Sequence, residues 1–147
     1  MEKMICRILL LIILTSCVSG SFVVNVTQTS YQAEENHNIT LEWTFTIIDD
    51  MSLISVLCYQ KIEEKIVVLY NFVHYFEVSE SQDEKFSGRV QSDKDALREG
   101  RLRLQLSRLR TDDSGLYVCA VFTNYSSGSA KCEVKVTAAA DQLRDRL

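Results

Sequence analysis

The sequence contains no proline, five glycines and two histidines, His37 and His74. The lack of proline argues against a stiff extended hinge or a mucin-like stalk. Neither histidine stands in a metal-ligand or triad spacing, so zinc sites and nucleophile–base pairs lack their usual material. No Gly-rich phosphate loop occurs. Asp49-Asp50 and Glu63-Glu64 are paired acids, but they fall in solvated turns, and a catalytic dyad needs burial and shared geometry. This inventory points away from an enzyme and implies no cofactor or metal. An excess of positive charge is also missing: 16 basic and 20 acidic residues give −4. That balance offers no electrostatic footprint for nucleic acid and no polybasic patch for a membrane surface. With 147 residues, 46% of them hydrophobic, the chain has the size and core material of one globular domain.

Hydrophobic runs are scarce as well. Ile8 to Leu14 is an unbroken apolar run, preceded by Lys3 and Arg7 and followed by the small residues Ser16, Ser19 and Gly20. This order is that of a signal peptide cleaved near Ser19 or Gly20. As a retained anchor the run is shorter than the ~20 residues a span needs. No later stretch has membrane length, and residues 138–147 form a polar tail. The expected organisation is a signal peptide over 1–20, one domain over 21–137 and the tail. The mature chain is expected to be secreted. If it is a truncated form of a longer membrane receptor, it would instead lie on the outer side of the plasma membrane. Export removes Cys6 and Cys17 and leaves Cys58, Cys119 and Cys132 in an oxidising compartment, where thiols pair and an odd count leaves one over. Sequons at Asn25, Asn38 and Asn124 fit the same address.

The mature region reads as strand after strand. Leu102, Leu104 and Leu106 alternate with Arg101, Arg103 and Gln105, the period of a half-buried strand. Residues 116–122 and 131–136 are two more strands, joined by the turn-type loop 124–129 into a hairpin. Upstream candidates are 22–26, 38–45, 53–60, 66–72 and 87–91. The charged stretch 93–99 is read as a turn between strands. About eight or nine strands in a domain this size point to an all-β antiparallel sandwich.

Asp113-Ser-Gly115-Leu-Tyr117-Val-Cys119 carries the sharpest signal. It resembles the strand-F motif of the variable-type (V-set) immunoglobulin superfamily, a Greek-key β-sandwich. In that family a glycine fits the corner and a tyrosine two residues before the cysteine bonds back to the backbone. The resemblance spans about residues 22–137. It implies that Arg89, heading strand D, pairs with Asp113. The segments Asn38 to Trp43, Val67 to His74 and Asp112 to Cys119 are similar to the butyrophilin and T-cell costimulatory and coinhibitory ligand group, its fish members above all. One departure stands out. The family carries Cys in strand B and Trp in strand C, whereas here Trp43 takes the B position and Cys58 the C position. The usual inter-sheet disulfide is therefore unavailable, and Trp43 is expected to fill the central core from the opposite sheet.

Cys119 then has two candidate partners, Cys132 on strand G and Cys58 on strand C. Loop closure is worth roughly 3 and roughly 4 kcal/mol respectively and does not decide. Centring the hairpin on Tyr125–Ser126 sets Cys119 opposite Cys132, which favours that bond and leaves Cys58 a buried thiol. With Cys58 and Cys119 inward, alternation turns Leu57, Tyr59, Val118, Ala120 and Phe122 outward. Ile66 to Tyr70 is apolar on both phases. Such a patch usually marks a protein interface, unless residues 72–78 or a glycan at Asn124 cover it. Lys131, Glu133 and Lys135 would be its polar rim. By this reading the protein is a non-enzymatic extracellular binding module, an immune ligand or receptor ectodomain. Its partner would be an immunoglobulin-superfamily receptor on a leukocyte, met through the GFCC' face. A homodimerising adhesion module and a soluble decoy are the alternatives. The joining-segment Phe-Gly-x-Gly signature is absent, which discounts a rearranging receptor.

Overall fold

The computed structural model describes residues 22–46, 54–74 and 76–139. Residues 1–21, 47–53 (with Asp49-Asp50), 75 and 140–147 lie outside them, and with them the expected signal peptide and most of the expected tail. Among the described residues, ten strands form two stacked sheets. β1 (Val24–Val26), β3 (Ile39–Phe45), β8 (Arg101–Leu106) and β7 (Val90–Ser92) make the smaller one, in the order β1-β3-β8-β7. The larger sheet runs β2 (Ser30–Glu34), β10 (Ser127–Thr137), β9 (Gly115–Phe122), β4 (Ser55–Ile62), β5 (Lys65–Val73), β6 (Phe76–Glu77). Every pairing is antiparallel except β2 on β10. The all-β sandwich expected from the alternation is the observed architecture.

Alternation explains which residues meet between the sheets. Leu102, Leu104 and Leu106 of β8 and Leu41, Trp43 and Phe45 of β3 face Val56 and Cys58 of β4. Tyr117, Cys119 and Val121 of β9 and Cys132, Val134 and Val136 of β10 complete the layer, all of them buried. Trp43 reaches across the interior and donates its indole N–H to the Ala130 carbonyl of β10 at 3.0 Å. It thus fills the central core from the smaller sheet, as its exchange with Cys58 implied.

Three local features differ from the sequence expectation. Residues 30–34 form a strand that their polarity hid: only Tyr31 is buried, and the strand is held by pairing along β10. Residues 94–98 form a single helical turn, α1 (Lys94–Arg98), instead of a plain turn. Asp93 caps it, its carboxylate accepting from the Asp95 and Ala96 N–H groups, while Ala96 and Leu97 go inward. The β9–β10 loop is also shorter than its composition suggested, because Phe122 already pairs with Ser127. Thr123 tightens it: its N–H and Oγ1–H both donate to the Ser126 carbonyl, and Oγ1 accepts from the Ser126 N–H at 3.0 Å.

That shorter turn overturns the expected disulfide. Moving the hairpin centre by one residue shifts each partner by two, so Cys119 faces Ala130 and Cys132 faces Tyr117. Cys119 instead sits opposite Cys58, Cα to Cα 4.1 Å, and the bond is Cys58–Cys119. That spacing belongs to the closer, non-hydrogen-bonded pairs of an antiparallel ladder. Cys132 is the buried free thiol, its pKa pushed up to about 12 by desolvation. At pH 8 only about one in ten thousand such groups would be thiolate. Iodoacetamide should therefore leave Cys132 unmodified in the native protein and label it promptly in denaturant. Peptide mapping should recover Cys58 joined to Cys119, and rapid native labelling of Cys132 would contradict the burial.

Candidate protein-binding face

Strand β9 starts from a corner held by a buried ion pair. Arg89 donates to both carboxylate oxygens of Asp113, at 2.8 and 2.9 Å, and both side chains are buried. The remaining guanidinium donors go to the backbone carbonyls of Lys85, Ser107 and Arg108. Asp113 also accepts from the Arg110 N–H at 2.8 Å. The Asp113 hydrogen bond holds the Arg89 pKa up, against the opposing effect of burial. Tyr117 donates its hydroxyl to the Asp113 carbonyl. Arg89, Asp113, Gly115 and Tyr117 thus converge as the motif implied.

Gly115 is needed at φ +144°, where a Cβ would also stand 3.4 Å from the Gln60 side-chain nitrogen. Gln60 was not singled out from the sequence. It is fully buried on β4, donating to the Asp112 and Ser114 carbonyls and accepting from Lys85 at 2.9 Å. Only the phase of β4, inward at Val56, Cys58 and then Gln60, could have signalled it.

From this corner, β9 runs up the middle of the larger sheet, and its register with β4 and β5 sets the outer face. Leu116 lies beside Lys61, which lies beside Ile66. The next row is Val118, Tyr59 and Val68; then Ala120, Leu57 and Asn71; then Phe122, Ser55, Val73 and, on β6, Phe76. Apolar side chains therefore run across four neighbouring strands. Leu57, Tyr59, Val118 and Ala120 are half-buried, whereas Phe122, Ile66 and Phe76 are 44%, 55% and 73% exposed.

The five residues read from alternation share this surface, but Ile66, Val68, Val73 and Phe76 belong to it too. The pairing of β4 with β5 shifts between Cys58 and Tyr59, so that Leu69 and Tyr70 both turn inward. This bulge is why the Ile66–Tyr70 run is apolar on both phases. Residues 76–77 do not fold over the patch but extend the sheet as its edge strand. On the other side Lys131, Glu133 and Lys135 of β10 are exposed. Lys61, Lys131 and Lys135 outnumber Glu133, the one acid on these central strands' outer surface, although the whole chain carries −4. Asn25 and Asn38 belong to the smaller sheet and its lead-in, and Asn124 to the β9–β10 turn; all three are exposed. Asn38 Oδ1 accepts from the Arg108 N–H.

Among the described residues, no group of three or more His, Cys, Asp or Glu is arranged to hold a metal. No helix among them is long and apolar enough to cross a membrane.

The same fold recurs in known proteins. The chain superimposes on the human B7-H4 IgV-like domain with a TM-score of 0.69 at 23% identity, covering 78% of this chain and 96% of that one. Bovine butyrophilin gives 0.69 at 17% identity, covering 81% and 56% respectively. Murine CRIg gives 0.68 at 16%, covering 80% and 99%. In sequence, the chain is 28% identical over 144 residues to the mouse protein named programmed cell death 1 ligand 1, which covers 96% of this chain and 48% of that protein. The chain thus spans about half the length of that curated relative. The family model described as immunoglobulin V-set domain matches residues 20–137. With the sandwich, the Arg89–Asp113 pair and the Tyr117 corner in agreement, the chain belongs to the immunoglobulin V-set family.

Proposed function

We propose that this protein is a non-enzymatic, extracellular immune-regulatory module that docks an immunoglobulin-type receptor on leukocytes through the outer face of its larger sheet. The observation that carries the reading is the apolar surface continuous across β9, β4, β5 and β6, with Phe122, Ile66 and Phe76 in solvent. Contiguous exposed apolar area of this kind, edged by polar residues, is the usual chemistry of a protein interface. The mouse relative is by its name a ligand, of programmed cell death 1, which supports a ligand role here. Leu57, Tyr59, Val118, Ala120 and Phe122 form the centre of the docking surface. Lys61, Lys131 and Lys135 ask for a partner whose apolar patch is bordered by acidic residues. Residues 1–20 act as a removed signal peptide. Asn25, Asn38 and Asn124 carry N-linked glycans, and the β9–β10 turn holds the one at Asn124 at one end of the patch.

Secreted product of the full chain, multimerised so that weak single contacts add up, tests this by leukocyte staining. Wild type is expected to stain a subset of cells. Phe122→Glu should lose that signal while keeping its stability to within about 0.5 kcal/mol, as substitutions at exposed positions usually do. Gln91→Glu, exposed on the smaller sheet, should stain like wild type. Well-folded wild type that stains nothing and sediments as a dimer would instead indicate homophilic pairing of the same face. Equal staining by Phe122→Glu would remove this face from the interaction.

A further inference from the structure

We propose that the Cys58–Cys119 bond is a positioning element of the docking face, holding its two central strands in register, and not a clamp between the sheets. The proposal rests on the docking reading for its function, but its geometry stands apart from it. β4 and β9 are neighbours at the centre of the six-stranded sheet, and Cys58 and Cys119 are direct partners in their ladder. The bond therefore crosses no interior space between sheets. Its immediate neighbours on the other surface are the outward pairs Leu57–Ala120 and Tyr59–Val118, the middle of the candidate interface.

Two further observations agree. The ladder on the far side of β4 is irregular at this very position, because the β4–β5 register shifts between Cys58 and Tyr59. A bulge disrupts local pairing and bends the strand. A covalent tie on the opposite side of Cys58 offsets that freedom. The sheets, meanwhile, are joined by other means: Trp43 donates to Ala130, and the Glu42 N–H of β3 donates to the Tyr31 hydroxyl of β2. A pre-set face loses less conformational freedom when a partner docks. The exchange of Trp43 and Cys58 thus relocates the cross-link from the core's thickness into the binding sheet.

The test is native amide hydrogen exchange on the full secreted chain and on Cys58→Ala/Cys119→Ala. The readout is the rate over residues 55–61 and 116–122 relative to 40–44 and 102–106. Loss of the bond is expected to speed exchange in the first two segments at least about ten-fold more than in the others, because local opening and global unfolding protect amides separately. Multimer staining should fall in parallel. If the double variant does not accumulate, wild type reduced by a phosphine without denaturant gives the same comparison. Uniform acceleration, unchanged rates, or unfolding in both forms would overturn the proposal, since the bond would then hold the sandwich or nothing. Selective loosening in a protein whose wild type stains no cell would sink the docking reading and leave the positioning role intact.

Discussion

Asp113→Ala is expected to lower the unfolding free energy by about 3–5 kcal/mol, enough to abolish secretion of a marginally stable domain. The size follows from what is left behind. Arg89 is buried and aims two nitrogens at the Asp113 carboxylate. Truncating Asp113 strands that charge in the core, and it also frees the Arg110 N–H that Asp113 Oδ2 accepts. Arg89→Ala should cost a comparable amount, because it leaves the carboxylate buried and uncovers Phe86, over whose ring the guanidinium lies at 5.7 Å. By contrast, removing the exposed Arg101–Glu99 pair should barely move the urea midpoint. A destabilisation below about 1 kcal/mol for Asp113→Ala would mean that the corner is not held by this pair.

The same pair sets an acid limit. Burial works to raise the Asp113 pKa, but the hydrogen bonds from Arg89 and the Arg110 N–H outweigh it and hold the carboxyl below its ordinary value. A carboxyl lowered on folding contributes stability above its unfolded pKa of about 3.9, and that contribution fades as pH falls through the folded value. The gap between wild type and Asp113→Ala should therefore stay level from pH 7 to about 5 and close below about 4. A gap that closes above pH 5 would require a different titrating group.

How much of this was readable depends on whether a feature is set by phase or by chain path. The strand pattern and the outward set Leu57, Tyr59, Val118, Ala120 and Phe122 follow from period-2 alternation around fixed points, and these positions lie on the surfaces that alternation assigned, whereas the corner was implied by the resemblance of Asp113 to Cys119 to the family motif. Alternation says nothing about an inserted residue, so the bulge that turns Leu69 and Tyr70 inward together hid Val68, Val73 and Phe76. The disulfide was misassigned for a related reason. Composition made residues 124–129 a loop, but Thr123 closes the turn early by bonding to Ser126, and moving the hairpin centre by one residue moves each partner by two. β2 was invisible because its partner is distant: its polar residues are held by parallel pairing with β10, a hundred positions later in sequence. The short helix carried a local signal, the Asp93 cap, which its charged neighbours obscured.

Trp43 is the position where the departure from the family pattern should be felt most. It is fully buried at the centre of the core, in a sandwich whose one cross-link among the described residues lies within one sheet. Packing between the sheets must then do what a covalent bond does in relatives with the usual arrangement. Trp43→Ala should cost about 3–5 kcal/mol through lost burial and the cavity it leaves. Trp43→Phe separates the two contributions of the indole. It keeps much of the apolar volume but removes the donor to the half-buried Ala130 carbonyl, so a further loss of about 1–3 kcal/mol is expected from that unpaired acceptor and the imperfect fit. The two substitutions should also differ from loss of Cys58–Cys119 in where they act. Urea unfolding gives the magnitudes, and amide exchange should show β3 and β10 loosening together. If Trp43→Phe instead matches wild type in both, the indole bond contributes nothing and shape alone joins the sheets.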